Sequence, residues 1–189
     1  MKAFILGAGT YGEVYASYLH EAGIKIVGFL DDNKLLHGKS INNIPIVGDI
    51  EYLKQIANPE HYAVYCPVGN NAVRVKLLSL ARSLGFNTPN FIHQSVLVSP
   101  NVNIAKEGVY ILPNVTIMPY TTIEKDVMIS VGANIKVENC SYIGMGATIM
   151  TGVKRLGNNC LIGAGAVVIK DVDDNTIVAG VPAKLIKYK

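Results

Sequence analysis

ILPNVTIMPYTTIEKDVM, residues 111–128, repeats a six-residue pattern three times. Each repeat opens with isoleucine and has a small or β-branched residue at its fifth position. The same rule covers twelve successive segments from Val98 to the early 170s, two of which contain a seventh residue. Hexapeptide repeats of this kind are typical of a parallel β-helix, in which three repeats close one triangular coil of about 18 residues. Twelve segments therefore predict about four coils.

The geometry of a β-helix explains the pattern. The aliphatic residue fills the interior, and the small residue fits where the wall turns. Because each coil hydrogen-bonds only to its neighbours, both ends need covers. We expect the first half of the chain to cover one end and the tail DDNTIVAGVPAKLIKYK, residues 173–189, to cover the other. A β-sandwich would require strict two-residue alternation and hairpin turns, which this half lacks.

The first half alternates short apolar strands with helix-like stretches. This order is typical of a small parallel α/β domain. We predict such a domain at 1–90, followed by a parallel β-helix at 91–189. The predicted elements are a strand at 2–6, a glycine turn at 7–12, a helix at 13–22, a strand at 24–32, a turn at INNIP (41–45), a short helix around IEYLKQIA (50–57), a strand at 62–68 and a helix at 72–84.

Composition limits the classes of partner. The formal charge of +3, from 17 basic and 14 acidic residues without a long basic run, is too small for a nucleic-acid-binding surface. The start MKAFILGAGTYG lacks the uninterrupted apolar core of a secretory signal, and no stretch is long and apolar enough to span a membrane. The three cysteines have no CxxC spacing, so we expect buried thiols in a reducing compartment. We expect a cytoplasmic protein without nucleic-acid or membrane partners.

Six short motifs carry a resemblance to a known family. Together, and in this order, they resemble the left-handed β-helix sugar acyltransferases of the sialic acid O-acetyltransferase and bacillosamine N-acetyltransferase type. The resemblance implies a small Rossmann-like nucleotide-sugar domain in front of a left-handed β-helix. It also implies a homotrimer with active sites between neighbouring β-helices, acetyl-CoA as donor and a nucleotide-linked sugar as acceptor. We expect no metal. The motifs are GAGTYG (7–12), FLDD (29–32), GNNAVR (69–74), FIHQS (91–95), IGAGAVV (162–168) and AGVPAK (179–184).

The glycine motif has three interpretations. Its glycines permit a tight turn that brings backbone N–H groups to a phosphate at a helix N-terminus. Asp31, 19 residues after Gly12, lies where a dinucleotide fold has its acidic residue, although the front domain is short for a nicotinamide enzyme. A structural turn is the third interpretation. The resemblance favours a sugar nucleotide and implies a substrate set of Gly7, Gly9, Thr10, Tyr11, Gly12, Asp31, Asp32, Gly69 and Arg74.

Each of these roles has a structural alternative. Asp31 and Asp32 are also common turn and helix-capping residues, and Arg74 is equally compatible with a plain surface position. For acetyl-CoA, the resemblance implies contacts near the C-terminal coils, where corner geometry alone would also explain the glycines. This cofactor set comprises Gly144, Gly152, Ala164, Gly165, Gly180, Pro182 and Lys184, of which Lys184 would pair with a phosphate.

The catalytic hexad departs from its relatives. The family carries a histidine base in a hexad of the form V-E-H-E-C-V followed by I-G, whereas this chain reads VENCSYIG at 137–144. Asn139 then stands in place of the histidine, and Cys140 in place of its acidic partner. A second register deletes four residues and puts Val137 and Glu138 at those two positions. Neither register supplies a histidine.

The remaining histidines offer no substitute. The four are His20, His37, His61 and His93, and we expect His93 to be structural at the domain junction. No histidine follows it, which excludes the histidine-ligated zinc site of β-helix carbonic anhydrases.

Three accounts of function remain open. In the first, an amino sugar attacks acetyl-CoA as a neutral amine, and Asn139 or Glu138 orients it, so that no strong base is needed. In the second, the trimer binds a nucleotide sugar without turnover. In the third, Glu138 or another base supports O-acetylation. We expect the two extra residues 135–136 to bulge toward the cleft between subunits.

Overall fold

The computed structural model describes residues 2–113, 115–117, 119–120, 122–129, 136–137, 139–144, 146–150 and 152–189. The chain divides into two compact units, Met1–Ser130 and Val131–Lys189. The first unit holds the α/β sheet together with the first short strands of the β-helix. The boundary predicted at 90/91 separates the α/β fold from the β-helix, which is a different kind of division from that between compact units. It stays a prediction.

The first unit begins with a five-stranded sheet of order β3-β4-β2-β1-β5. The helices that follow β1 and β5 are α1 and α2, and most predicted elements are confirmed within a few residues. The short helix predicted near residue 50 is a 3-10 helix, Ile50–Gln55, and two more lie at Lys34–Leu36 and Pro59–His61. The bounds are β1 Lys2–Leu6, α1 Thr10–Glu21, β2 Lys25–Leu30, β3 Ser40–Ile41, β4 Ile44–Gly48, β5 Tyr62–Tyr65 and α2 Asn71–Ser83.

The prediction of a purely parallel sheet was wrong. The INNIP segment forms the turn and the adjoining strand ends of the β3–β4 hairpin, whose strands pair antiparallel. Asn42 and Asn43 between them have φ values of 49° and 64°. Two successive left-handed residues form the tight hairpin turn for which asparagine is suited. β4 then pairs parallel with β2, so the sheet is mixed.

The coils of the first unit begin at Phe91. Parallel pairing forms three faces, β6-β9-β12, β7-β10 and β8-β11. Phe91 pairs with Tyr110 and Tyr110 with Met128, so one coil takes 19 and then 18 residues. The strands are β6 Phe91–Ile92, β7 Leu97–Val98, β8 Asn103–Ile104, β9 Tyr110–Ile111, β10 Thr116–Ile117, β11 Thr122–Ile123 and β12 Met128–Ile129.

The second unit repeats this arrangement and adds the tail. Its faces are β13-β16, β15-β18 and β14-β17-β19-β20, and β20 alone among these described strands runs antiparallel to its neighbour. The tail thus extends one face by a hairpin. The strands are β13 Lys136–Val137, β14 Tyr142–Ile143, β15 Thr148–Ile149, β16 Arg155–Leu156, β17 Leu161–Ile162, β18 Val167–Val168, β19 Thr176–Ala179 and β20 Lys184–Tyr188.

The repeat residues fill the interiors of both units. Val98 and Ile143 are exceptions, at 48% and 41% exposure, and each lies on the first complete coil of its unit. The predicted fold class, an α/β domain followed by a parallel β-helix of about four coils, is confirmed. Buried repeat positions are Ile111, Ile117 and Ile123 in the first unit and Ile149, Val153, Leu156, Cys160, Ile162, Ala166, Val168 and Val172 in the second.

Tyr110 joins the α/β sheet to the first coils. It is fully buried, and its hydroxyl accepts a hydrogen bond from the backbone N–H of Cys66 at 2.9 Å. Its ring also meets that of Tyr15 on α1 edge to face, with centroids 5.6 Å apart. The α/β domain therefore packs against the outer side of β9, and the expectation that it covers one end of the coils stays a prediction.

The three cysteines are free, but their environments differ. Cys66 and Cys160 are buried, as predicted. The prediction was wrong for Cys140, which is exposed at a coil corner with φ 58°. The corner turns the chain outward, so its side chain does not reach the interior.

We predict that Tyr110→Phe lowers the free energy of unfolding by about 1–3 kcal/mol, because the buried Cys66 N–H loses its partner while the ring remains. Chemical denaturation of the full chain measures the change. The control is Tyr120→Phe, at a side chain that is 82% exposed, which should change stability by less than about 0.5 kcal/mol. Equal effects at the two positions would contradict the role assigned to Tyr110.

Candidate functional site

The carboxyl edge of the α/β sheet brings together three of the predicted substrate loops. β2, β1 and β5 are adjacent and parallel, so the residues that follow them meet at one edge. From β1, the chain continues to β2 on one side, and β5 lies on the other. Such a change of direction opens a crevice at the strand ends, which is where open α/β sheets bind ligands.

Asp31 holds the glycine turn against the end of β2. Its Oδ2 accepts the backbone N–H of Ala8 at 2.8 Å, and its Oδ1 accepts that of Asn33 at 2.8 Å. The ring Nε2 of His37 lies 2.7 Å from the backbone oxygen of Asp31. The half-buried Asp31 carboxylate therefore organises the turn and lies beside any ligand that the turn would bind.

Asp32 has the capping role that was the structural alternative for this residue. Its Oδ1 accepts the N–H of Ile50, at the start of a 3-10 helix, at 3.1 Å. Its side chain is exposed. A contact between Asp32 and a base or ribose stays a prediction.

The glycines of GAGTYG have distinct functions. A Cβ on the buried Gly12 would lie 2.1 Å from the oxygen of Gly7, so only glycine permits this approach between turn and helix. Gly9 is exposed, and a Cβ there would meet nothing within 4 Å. Gly9 also caps α1 without a side-chain hydrogen bond, so its first turn can offer N–H groups to an anion.

The second loop of the crevice is built around Gly69. A Cβ on Gly69 would lie 3.1 Å from the ring of Tyr11, so the two loops are closely packed. Thr10 and Gly69 are exposed at this edge, whereas Tyr11 is half-buried. The structure thus places Gly7, Gly9, Thr10, Tyr11, Gly12, Asp31 and Gly69 at the same edge of the sheet, and their contact with a ligand stays a prediction.

Arg74 is buried rather than placed at the surface. It is only 4% exposed, so the alternative of a surface position was wrong. Its guanidinium donates to the oxygen of Val68 at 2.8 Å, the oxygen of Asp126 at 3.1 Å and Asn71 Oδ1 at 2.7 Å. These bonds direct Arg74 into the protein, and a contact with diphosphate stays a prediction that this geometry does not favour.

The buried groups behind the crevice are poor acids and bases. Burial raises the pKa of the Cys66 thiol to about 12 and that of Tyr65 to about 12. Burial also raises the pKa of Tyr110 well above its usual range. At neutral pH all three are protonated, so Cys66 does not act as a thiolate nucleophile.

The second unit resolves the register of the catalytic hexad. Val137 pairs with Leu156 and Ile143 with Ile162, so VENCSY is one complete hexad. Cys140 and Asn159 occupy the same corner, with φ values of 58° and 52°. In this register Asn139 is the third residue of the hexad, and its place at the family's histidine position stays a prediction. Glu138 and residues 130–135 lie outside the described residues.

Asn139 has a fixed backbone and an exposed side chain. Its carbonyl accepts the N–H of Asn159 at 2.8 Å from the coil below. Among the described residues, no hydrogen-bond partner is seen for its side-chain amide, which is free to meet a ligand. Cys140 beside it has positive φ, a conformation more common for asparagine and glycine, and such strain often marks functional sites.

The predicted CoA residues divide into buried and open positions. A Cβ on Gly144 would lie 2.6 Å from the backbone nitrogen of Ala164, so packing between coils already requires this glycine. Gly152 and Gly165 have φ values of 107° and 67°, and a Cβ on either would meet nothing within 4 Å. Their open surface, with the exposed Ala164, fits the close approach of an extended chain such as pantetheine.

Of the predicted tail residues, Lys184 lines a groove of about 270 Å³ in the same unit, whereas Gly180 and Pro182 do not line it. The exposed Lys184 contributes to it, while Gly180, with φ 96°, precedes the cis peptide bond of Val181–Pro182. Sequence reasoning missed Lys170 and Asp171, which also line the groove. Hydrogen bonds from the N–H groups of Lys154 and then Arg155 lower the pKa of Asp171.

In the part of the chain that the structure describes, no group of three or more His, Cys, Asp or Glu side chains is arranged to hold a metal ion. No helix there combines the length and apolar character needed to cross a bilayer.

Comparisons with known proteins agree with this architecture. Residues 2–80 match the PglD N-terminal domain. Perosamine N-acetyltransferase from Caulobacter crescentus, in a histidine-to-asparagine mutant bound to CoA and GDP-perosamine, is 25% identical with a TM-score of 0.65, covering 99% of this chain and 97% of that one. The acetyltransferase domain of PglB from Neisseria gonorrhoeae, bound to acetyl coenzyme A, is 29% identical with a TM-score of 0.53, covering 98% of each chain.

Curated relatives match over shorter stretches. The 2,3,4,5-tetrahydropyridine-2,6-dicarboxylate N-acetyltransferase of Enterococcus faecalis is 49% identical over 55 residues, which are 29% of this chain and 23% of that protein. The chain spans less than half the length of the curated relatives that it matches first. Domain match and fold together define the class: a PglD-type N-terminal domain followed by a hexapeptide-repeat acetyltransferase fold. The resemblance seen in the sequence is confirmed.

We predict that alanine destabilises the GAGTYG turn at one glycine and is tolerated at another. Gly12→Ala should destabilise the first unit by at least about 2 kcal/mol, because its Cβ meets the Gly7 oxygen. Gly9→Ala should change the free energy of unfolding by less than about 0.5 kcal/mol, because its φ of -87° suits alanine and the space is open. Thermal denaturation compares them, and a stable Gly12→Ala variant would contradict the described turn.

Proposed function

We propose that this protein transfers an acetyl group from acetyl-CoA to the amine of a nucleotide-linked amino sugar. The observation that carries the proposal is the combination of a ligand crevice at the carboxyl edge of a PglD-type domain with a hexapeptide-repeat fold. The solved proteins that cover nearly the whole chain combine the same two parts, and one of them holds CoA and GDP-perosamine. That combination supports a nucleotide-linked sugar as the acceptor.

In the proposed complex, the crevice holds the nucleotide of the acceptor. Phosphate oxygens would accept N–H groups from the first turn of α1, where Gly9 leaves open space. Asp31, already beside that turn, would accept a ribose hydroxyl. Acetyl-CoA would lie along the open corners at Gly152 and Gly165, with Lys184 near its phosphates. We propose a homotrimer, as in the family that the sequence resembles.

The proposed chemistry needs no histidine. The neutral amine nitrogen attacks the thioester carbonyl carbon, a C–N bond forms, and the C–S bond breaks. The proton that the nitrogen loses passes to the departing thiolate. A hydroxyl acceptor would require a base to remove its proton, and asparagine is not one. An amine therefore suits a hexad in which Asn139 replaces the histidine.

Asn139 would act through its side-chain amide. The carboxamide oxygen can accept a hydrogen bond from the attacking amine, and its NH₂ group can donate to the developing oxyanion. Both actions orient or stabilise without transferring a proton. Glu138 is retained as a second orienting residue on the basis of sequence alone.

A binding protein without turnover is the second candidate. The perosamine N-acetyltransferase with one histidine changed to asparagine still holds both CoA and GDP-perosamine, so binding in this fold does not depend on every histidine. O-acetylation that uses Glu138 or another base is the third candidate. The three differ in product: an amide, no product or an ester.

A panel of nucleotide-linked 3-amino and 4-amino sugars, incubated with acetyl-CoA, tests the proposal through the release of free thiol. We expect release with at least one amine and none with the matching hydroxyl sugars. Calorimetry with CoA establishes separately that the donor binds. Bound CoA without thiol release from any amine would support the binding protein and overturn the transferase.

For an active acceptor, we predict that Asn139→Ala lowers kcat by about tenfold or more, because the amide that orients the amine is lost. Glu138→Ala should also lower kcat. The control is Asn103→Ala in β8, an exposed asparagine in the first unit, with kcat within about twofold of the wild type. Unchanged kcat in both hexad variants would show that the hexad does not carry the chemistry.

A further inference from the structure

Two arginines of α2 converge on one coil corner of the first unit. Asp126 lies between β11 and β12, is 6% exposed and has φ 62°. Arg74 Nε donates to its backbone oxygen at 3.1 Å, and Arg82 forms an ion pair with its carboxylate, with Nη1 at 3.3 Å from Oδ2. The corner is therefore held through its main chain by one arginine and through its side chain by the other.

The surroundings fit this pair closely. A Cβ on Gly108 would lie 2.2 Å from Asp126 Oδ1, so glycine leaves the space that the carboxylate fills. Arg82 Nε also donates to Thr88 Oγ1 at 2.9 Å and lies 3.3 Å from Glu107 Oε1. The two carboxylates and the hydroxyl fix the Arg82 guanidinium without help from Arg74.

Arg74 makes a second connection that Arg82 lacks. Its Nη1 donates to the backbone oxygen of Val68 at 2.8 Å, directly before Gly69 in the substrate crevice. Its Nη2 donates to Asn71 Oδ1 at 2.7 Å, at the start of α2. One planar, buried guanidinium thus joins the crevice loop 68–70 to a coil corner.

We propose that Arg74 is a positioning residue for the acceptor, acting through Val68 and Gly69 rather than by touching the nucleotide. The inference rests on the proposed function. A reaction without a strong base depends on how closely the amine is placed, and an ångström of displacement costs up to about a hundredfold in rate. Arg74 limits such displacement because it ties the loop to the rigid coil.

The test compares Arg74→Lys with the wild type. Lysine keeps the charge but cannot span three acceptors with a planar fork. We expect KM for the amino sugar to rise about tenfold and kcat to fall about tenfold, while KM for acetyl-CoA stays within about twofold. Equal changes in both KM values, or no change in either, would overturn the proposal.

Asp126→Asn separates positioning from stability. Asparagine tolerates the left-handed corner and keeps the backbone oxygen that Arg74 uses, but it removes the ion pair with Arg82. We expect a lower Tm with KM for the amino sugar within about threefold of the wild type. The same kinetic loss as in Arg74→Lys, at an equal drop in Tm, would reduce Arg74 to a structural role.

Two further arms keep the test decisive. If Arg74→Lys does not fold, Asn71→Ala removes one exposed partner of the guanidinium and should raise the KM for the amino sugar by about threefold. Calorimetry with GDP-perosamine and a UDP-linked 4-amino sugar measures acceptor affinity without turnover. The protein could transfer no acetyl group while the Arg74 variant still binds the nucleotide sugar more weakly than the wild type. In that case Arg74 remains a positioning residue and only the transferase proposal is rejected. Binding unchanged by the variant would overturn the inference itself.

Discussion

Among the described residues, many corners of this β-helix turn at a residue with positive φ. Asn101, Tyr120 and Asp126 have this conformation in the first unit, and Cys140, Gly146, Asn159 and Gly165 have it in the second. Because an ordinary side chain resists it, the corner restricts residue type and fixes the spacing of the repeat. The stacking of short parallel strands, and the surface where a ligand would lie, depend on these turns.

The same corners connect the fold to the candidate chemistry. In VENCSY the asparagine, a residue that readily adopts positive φ, stands one position before the corner. Cys140 therefore occupies the corner, and Asn139 is exposed to solvent. At Asp126 the corner is the anchor for two arginines of the α/β domain. The corners thus lie beside the candidate residue Asn139 in one unit and anchor two arginines of the α/β domain in the other.

Periodicity predicted most of the fold. The hexads predicted the interior residues because the six-residue spacing reports directly on burial, and KAFIL predicted β1 to the residue. The β3–β4 hairpin was missed because its strands are short and its two asparagines resemble an ordinary loop. The register of VENCSY required the pairing of Val137 with Leu156, since two extra residues before it allowed two alignments.

The candidate site was predictable only in part. The position of GAGTYG beside Asp31 was predictable because their spacing follows from the strand–turn–helix geometry. The burial of Arg74 was not, since its partner Asp126 lies 52 residues away and no local pattern reveals that contact. The predicted ligand contact of Arg74 stays a prediction. Cys140 likewise appeared buried by composition, whereas the corner exposes it.

The most direct measurement of the central claim is the product formed with isotope-labelled acetyl-CoA, followed by NMR of the labelled carbonyl. The account predicts that the label moves from a thioester to an amide on a nucleotide-linked amino sugar. A label that stays in the thioester, with both ligands bound, or one that appears in an ester, would contradict it.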